Sequence, residues 1–444
     1  MNLMLAIVFL SSVGAALYVL RRLRFDRCTI AIVLAGVALY ADYLSYTSVS
    51  ARNYDGLSHV TYVQAIAQHL RLPAMSACLA CGHPPLYYAL GAAWSRSVLA
   101  GGWMPVERGL QWLSLLLFVG FVVLALLVIR SFEVAPATQR LAAALVVFWP
   151  SSVLNSVRVH NDALAAPLIL AAIYFTARWD SRRSPRDFWL AVVASALAIL
   201  AKASGYVAAA TLFLFALVHL RTAKASRRDL ARSALALVVL GAAAVLAVVS
   251  RLERSPHTLC QEVLGHACDG RYAPPVADTP SHFVLFDLPD FLRRLDATPD
   301  YPRPDYFWNR FAKSSLFGVL PLGDEFQAAR YAALAVAIKV LLLVMVAVCL
   351  GGAIALRQVP WRRYRVYASA VVIMLLFLLA FRIRAPNEFH EDFRHVFPVL
   401  VPFCLAYALI VDRARRASRA LYWTGVGVAL SMVGASVAFF ARVP

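Results

Sequence analysis

Long apolar runs alternate with short polar connections along the chain. The runs lie near 3–20, 28–46, 107–129, 139–154, 163–177, 188–201, 206–220, 230–250, 329–356, 364–381, 395–411 and 421–440. A helix needs about 20 apolar residues to cross the hydrocarbon core. The pattern therefore predicts an all-α polytopic membrane protein of about 12 transmembrane helices. The first run resembles a signal peptide, but its charges, Arg21, Arg22 and Arg24, follow it instead of preceding it. That order predicts a retained helix.

Two connections are long, 47–106 and 251–328. Within the first, residues 84–100 are apolar enough to suggest a thirteenth span. A span there would invert every later connection, so the segment is expected as an interfacial helix. Residues 55–70 place Val60, Val63, Ile66 and Leu70 at helical spacing, which predicts an amphipathic helix beside it. The second long connection carries Pro256, Pro274, Pro275, Pro280, Pro289, Pro299, Pro302 and Pro304. Proline breaks helix interiors, so short helices and irregular chain are expected there.

Composition sharpens this reading. The 444 residues are 61% hydrophobic and only 15% charged, against about 25% charged in soluble domains. That excludes an ordinary soluble enzyme, a disordered chain and a disulfide-dense secreted domain. The formal net charge is +19, and only four of the 43 basic residues are lysines. The arginines gather in six connections, from Arg21–Arg27 to Arg413–Arg419, all on one side of a twelve-helix chain. The positive-inside rule makes that side cytoplasmic. No basic domain exists that could grip a nucleic acid. The connections 47–106, 155–162, 202–205, 251–328 and 382–394 then face outward, as do both termini. Four of the seven cysteines, Cys78, Cys81, Cys260 and Cys268, fall in outer connections, which suits an oxidising compartment. Of three pairings, the local pairs Cys78–Cys81 and Cys260–Cys268 are expected.

Ionisable groups at membrane depth are costly and usually line a cavity or pair. Five groups of them collect on the outer side. Asp55 and His59 share a helix face. Asp55 suits a general base, a metal ligand or a helix N-cap. His83 opens His-Pro-Pro-Leu-Tyr-Tyr, whose Tyr87 and Tyr88 suit an acceptor or lipid interface. Arg158-Val159-His160-Asn161-Asp162 opens a helix, where the dipole favours a carboxylate. Lys202-Ala203-Ser204-Gly205 puts a lone lysine on an outer turn. It requires an anion, and a substrate phosphate is favoured over a lipid phosphate or a carboxylate. Glu388 to His395 holds Glu388, His390, Glu391, Asp392 and Arg394 before Pro398 and Pro402. Arg394 suits a bidentate phosphate clamp.

In this order the five groups resemble the GT-C superfamily of membrane glycosyltransferases, including protein O-mannosyltransferases and lipid A aminoarabinose transferases. The resemblance rests on Asp55, His83 to Tyr88, Asn161-Asp162, Lys202 to Gly205, Phe307-Trp308 through Gly318, and Arg394 with its prolines. It covers residues 28–411 and implies a division of the chain. Residues 1–27 would be an added helix and link, and 28–250 a core of seven helices. Residues 251–328 would be an extracytoplasmic loop domain, and 329–444 four further helices. Two features depart from the pattern: the added first helix, and Gly56 where many relatives carry a second acid.

The resemblance implies an inverting transfer of a sugar from a polyprenyl-phosphate-linked monosaccharide. The acceptor would be a lipid or glycan hydroxyl, ahead of a protein hydroxyl. Asp55 would take the acceptor proton. Lys202 and Arg394, with His83, would hold the leaving phosphate. Asp162, His59, Glu388 and His390 would orient the site or hold a divalent cation such as Mg or Mn. The arginine-rich, compact chain suggests a bacterial inner membrane, with the site facing the periplasm. Three other readings compete, the plainest being a non-catalytic assembly or sensor protein, in which Asp55→Asn would leave function intact. A flippase of a lipid-linked sugar predicts inverted repeats, and none is visible. An O-antigen ligase-type enzyme with a diphosphate-linked donor fits less well with an acid in the first outer loop.

Overall fold

The computed structural model describes residues 3–50, 55–102, 104–222, 227–252, 279–293, 306–318, 329–356, 361–384 and 388–441. Every regular element among them is helical. The first half contains α1 (Leu3–Arg22), α2 (Arg27–Tyr46), α3 (Gly56–His69), α4 (Leu86–Val98), α5 (Val106–Ser131), α6 (Pro136–Phe148), α7 (Pro150–Ser156), α8 (Asp162–Arg182) and α9 (Pro185–Ala201). There follow α10 (Tyr206–Thr222), α11 (Arg227–Leu252), α12 (Pro280–Val284), α13 (Leu288–Arg293) and α14 (Phe307–Phe317). The chain closes with α15 (Ala329–Leu356), α16 (Trp361–Arg384), α17 (Leu400–Ala417) and α18 (Arg419–Phe440).

Local chemistry sets several of these ends. Asp26 caps α2, its side chain accepting from the Cys28 and Thr29 amides at 3.1 and 3.3 Å. Pro136, Pro150 and Pro185 open α6, α7 and α9, where a missing N–H costs nothing. Trp149, ahead of Pro150, is extended and ends α6.

Eight stretches of the described residues are long and apolar enough to cross a membrane: Arg27–Tyr46, Val106–Ser131, Ala203–Arg221, Arg227–Ser250, Tyr331–Gly352, Tyr364–Arg384, Phe393–Ala417 and Arg419–Phe440. Four of the twelve expected spans are not among them. Residues 3–20 are helical, but most of their side chains fall outside the described residues. The 139–154 run breaks at Pro150 into two short helices. The 163–177 run lies in α8, which has the length but carries Asp162, Arg178, Asp180 and Arg182. The 188–201 run lies in α9, which has only 17 residues. With 14 and 13 residues, α3 and α4 are only about 20 Å long and too short to cross.

A single apolar core runs from Leu20 to Phe440, and Phe291, Phe307 and Leu316 of the 251–328 connection belong to it. A smaller core joins α3, α4 and the start of α5 through Tyr62, Val63, Tyr88, Leu110 and Leu113. Gly36 on α2 permits close approach to α6, because a Cβ there would fall 2.1 Å from Val147 Cγ1.

The charges separate along the bundle. At one end Arg140 pairs with Asp26 at 3.0 Å, and Arg365 grips Asp180 with two contacts of 2.7 and 2.5 Å. At the other end the α3–α4 pair meets the C-terminus of α9, the N-terminus of α8 and the segment leading into α17. The candidate site is there.

Candidate active site

Asp55 immediately precedes α3. Its backbone carbonyl accepts from the His59 amide at 3.0 Å, but its side chain makes no capping bond. The carboxylate instead faces inward. Its Oδ2 lies 3.2 Å from His59 Nε2 and 3.4 Å from His160 Nε2. Its Oδ1 lies 3.7 Å from Arg394 Nη1. His59 is fully buried, and its Nδ1 sits 2.7 Å from the Tyr88 hydroxyl.

The loop before α8 supplies the second carboxylate. Asp162 Oδ2 lies 2.7 Å from His160 Nδ1. The Lys202 ammonium donates to both Asp162 oxygens, at 2.6 and 2.7 Å. Asn161 donates to the Ala201 carbonyl at 3.2 Å, docking this loop on the end of α9. The anion that Lys202 requires is therefore a carboxylate of the chain itself, which corrects the expectation of a substrate phosphate as its first partner. Gly205 shapes the turn after Lys202. Its α-carbon packs so closely on α9 that a Cβ would fall 2.3 Å from the Ala198 carbonyl carbon. Only glycine fits without moving backbone.

Arg394 is buried and fixed by its neighbour Asp392. Asp392 Oδ2 lies 3.1 Å from Arg394 Nε, and Asp392 Oδ1 accepts from the Arg394 amide at 3.0 Å. A small pocket is lined by the polar residues Asn155, Arg158, His160, Asp162 and Arg394 together with the aromatic Phe118, Phe121 and Phe397. His83 joins the cluster by its ring, 5.7 Å from that of His59 and parallel to it, and 6.4 Å from that of His160.

Electrostatics set the protonation states. Burial pushes the Asp55 carboxyl up, but His160, His59 and Arg394 outweigh it and hold it well below the usual range. Burial also raises Asp162, and Lys202 with His160 reverses this, so Asp162 too is held well below its usual value. Burial and the neighbouring His160 lower His59 to about 4, against the opposing pull of Asp55. At neutral pH the site therefore holds two carboxylates beside a neutral His59.

Asp55, His59 and His160 can offer one ligand atom each, all within 4.8 Å of one another. A four-coordinate cation with bonds of about 2.0–2.2 Å separates its ligand atoms by about 3.3–3.6 Å. The 3.2 and 3.4 Å contacts fit that spacing. Asp55 Oδ1 and His59 Nε2 are buried and lack a hydrogen-bond partner. Asp162 stands behind His160 and Tyr88 behind His59, as supporting groups do at metal-bound histidines. Two imidazoles and one carboxylate suit Mn or Zn better than Mg, which prefers oxygen ligands.

The structure thus gathers Asp55, His59, His83, Asp162, Lys202 and Arg394. Tyr87 and Tyr88, expected at an acceptor or lipid interface, are fully buried within the chain, with the Tyr88 hydroxyl on His59 Nδ1. The His390 ring lies 4.1 Å from that of Phe381 and 6.5 Å from that of His395. The side chain of Glu388 lies outside the described residues, as do Cys260 and Cys268. Cys78 and Cys81 are disulfide-bonded, two residues ahead of His83. Sequence reasoning placed His160, Asp392 and Arg158 in its polar groups but gave them no role of their own. His160 sits two residues before Asp162, and that spacing was the available signal.

No protein-family model matches the sequence, and no curated protein matches it significantly. Among solved structures, the archaeal oligosaccharyltransferase AglB from Archaeoglobus fulgidus, in complex with an inhibitory peptide and a dolichol-phosphate, aligns with 93% of this chain. Its identity is 15% and its TM-score 0.47. An oligosaccharyltransferase of the same organism, tethered with an acceptor peptide, aligns with 93% at 13% identity and a TM-score of 0.49. This chain spans 55% of the length of each. ArnT from Cupriavidus metallidurans bound to undecaprenyl phosphate aligns with 93% of this chain and 76% of its own, at 13% identity and a TM-score of 0.43.

Proposed function

We propose that this protein is an inverting membrane glycosyltransferase of GT-C type. It takes a sugar from a polyprenyl-phosphate-linked donor and attaches it to a lipid or glycan hydroxyl. One observation carries the reading: a buried carboxylate, Asp55, is aimed at His59, His160 and Arg394, and Arg394 with Arg158 also lines a pocket that holds Phe118, Phe121 and Phe397. A phosphate with an apolar tail calls for both kinds of lining. The arginine-rich connections, with Arg140 and Arg365 at the opposite end, support an outward-facing site. In a bacterium that face is the periplasmic side of the inner membrane.

In the proposed reaction the acceptor oxygen attacks the anomeric carbon from the face opposite the phosphate. The carbon–oxygen bond to phosphate breaks, and polyprenyl phosphate leaves with the electron pair. Arg394 and Arg158 face the pocket where that charge develops, and preorganised cations stabilise it without reorganisation. Lys202 acts through Asp162, which it holds beside His160. The acceptor proton passes to Asp55. A carboxylate of low pKa is a weak base toward a free alcohol. It suffices once the new bond is well formed, because the attacking oxygen has by then become strongly acidic. Asp55, His59 and His160 would hold a divalent cation. When bound, such an ion adds positive charge near the reacting oxygens.

The test supplies radiolabelled polyprenyl-monophosphate sugars and a membrane lipid extract to purified protein. Wild type is expected to move label into a new lipid or glycan, and Asp55→Asn to lose at least about 100-fold of that rate. Equal transfer by the two proteins overturns the assignment of Asp55. Absence of transfer by wild type with every donor overturns the reading itself.

A further inference from the structure

We propose that residues 283–291, between α12 and α13, form a wedge seated in the outer leaflet of the bilayer and contacting lipid acyl chains. The inference does not depend on the chemistry of the site. Val284, Leu285, Phe286 and Leu288 are 76%, 46%, 39% and 46% exposed. Contiguous large apolar side chains on a surface mark an interaction site, whereas scattered ones do not.

The backbone of this segment identifies the partner. Chain outside regular helices is tolerated at membrane depth only where protein satisfies its polar groups. Here protein does so at Phe283, Leu285 and Asp287. The Phe283 carbonyl accepts from the Trp308 indole at 2.8 Å. The Asp287 amide donates to Asn309 Oδ1 at 2.8 Å, and the Asp287 carbonyl accepts from Asn309 Nδ2 at 2.6 Å. The Leu285 amide donates to the Ser281 carbonyl at 2.9 Å. Asn309 is fully buried, so its side chain serves this segment from within the fold. A water-facing loop has no need of such provision, since water would satisfy the same groups.

Depth follows from the packing on α15. Phe291 is fully buried, with its ring centroid 5.6 Å from the Lys339 ammonium. Lys339 lies eight residues into the apolar stretch Tyr331–Gly352, about 12 Å along the helix. On α15 itself Val336, Val340 and Val344, four residues apart on one face, are exposed as well. Asp287 sets the upper limit of insertion. It is exposed, and its carboxylate accepts from the Asp290 amide at 2.9 Å. A carboxylate belongs at headgroup level, so the apolar side chains around it reach the upper acyl chains and not the midplane. Asp290, the other acid of the segment, pairs inward with buried Lys313 at 2.8 Å. Through α12 the wedge is tied to the segment bearing Arg394, since His282 Nε2 lies 2.6 Å from Glu391 Oε1.

The test places the photoreactive residue p-benzoylphenylalanine at 286, and separately at 284, in the full-length protein. The protein is reconstituted in vesicles of phosphatidylethanolamine and phosphatidylglycerol. Val340 on α15 serves as the lipid-facing control and Ser76, exposed in the first outer connection, as the water-facing control. Illumination is expected to add the mass of one lipid at 284 and 286 with the yield found at 340. Yields at 284 and 286 equal to that at 76 overturn the proposal, and so does capture of a second protein chain in place of lipid. Each variant is used only if it elutes as the wild type does on gel filtration, and the two positions test the same surface independently.

Discussion

The Lys202–Asp162 pair invites the sharpest test of the buried electrostatics. At 2.6 Å, opposite unit charges attract by about 6 kcal/mol at an effective dielectric constant near 20. Desolvation of both groups offsets much of that. Removing one partner is the costly perturbation, because it strands the other charge in the interior, at about 3–5 kcal/mol. Lys202→Met leaves the Asp162 carboxylate with His160 Nδ1, at 2.7 Å, as its remaining close partner. Asp162→Asn leaves the Lys202 ammonium buried on its own helix end. The double variant Lys202→Met/Asp162→Asn removes both charges, so it should be more stable than Lys202→Met alone. Unfolding of all four proteins in mixed micelles by titrated SDS measures the cycle. A coupling energy above about 1.5 kcal/mol is expected, and one within about 0.5 kcal/mol of zero would refute the pairing. Sugar transfer separates stability from function: the double variant regains stability but not transfer, since no carboxylate then stands beside His160.

Three other outcomes follow from particular contacts. Gly205→Ala forces a Cβ onto the Ala198 backbone and should cost about 1–3 kcal/mol, read as a lower unfolding midpoint; an unchanged midpoint contradicts the tight turn. Purified wild type should carry close to one equivalent of a transition metal by elemental analysis, and His160→Ala should carry much less. Chelation should slow transfer, with Mn or Zn restoring it more fully than Mg; an enzyme indifferent to chelator speaks against the metal site at Asp55, His59 and His160. Glu391→Gln removes the carboxylate shared by Arg382 and His282, each at 2.6 Å. It should loosen the Arg394 segment, raising the donor KM more than it lowers kcat; an effect on kcat alone argues against that positioning role.

The helical architecture was legible because apolar runs and arginine-rich connections report membrane depth directly. Helix ends at Pro136, Pro150 and Pro185 were equally local. What sequence could not supply was convergence. His160 is 101 positions from His59 along the chain, and only the packing of α3 against the start of α8 brings their ring centroids to 4.2 Å. Lys202 looked like a cation in search of phosphate because Asp162 lies 40 residues away, and helix pairing alone makes them neighbours. For Asp55, capping and chemistry predicted the same residue type at the same place. The side-chain direction separates them, since the carboxylate leaves the α3 amides unbonded and turns to His59 and His160. Tyr88 misled for the opposite reason, because an interfacial aromatic and a buried hydrogen-bond partner look alike in sequence.

The configuration of the transferred sugar tests the central claim most directly. Wild-type protein would be given a polyprenyl-monophosphate sugar of defined anomeric configuration, and the product examined by the proton–carbon coupling at its anomeric centre. A single displacement with Asp55 on the acceptor side predicts the opposite anomer to that of the donor. Retention of the donor configuration, or release of free sugar without transfer, would contradict it.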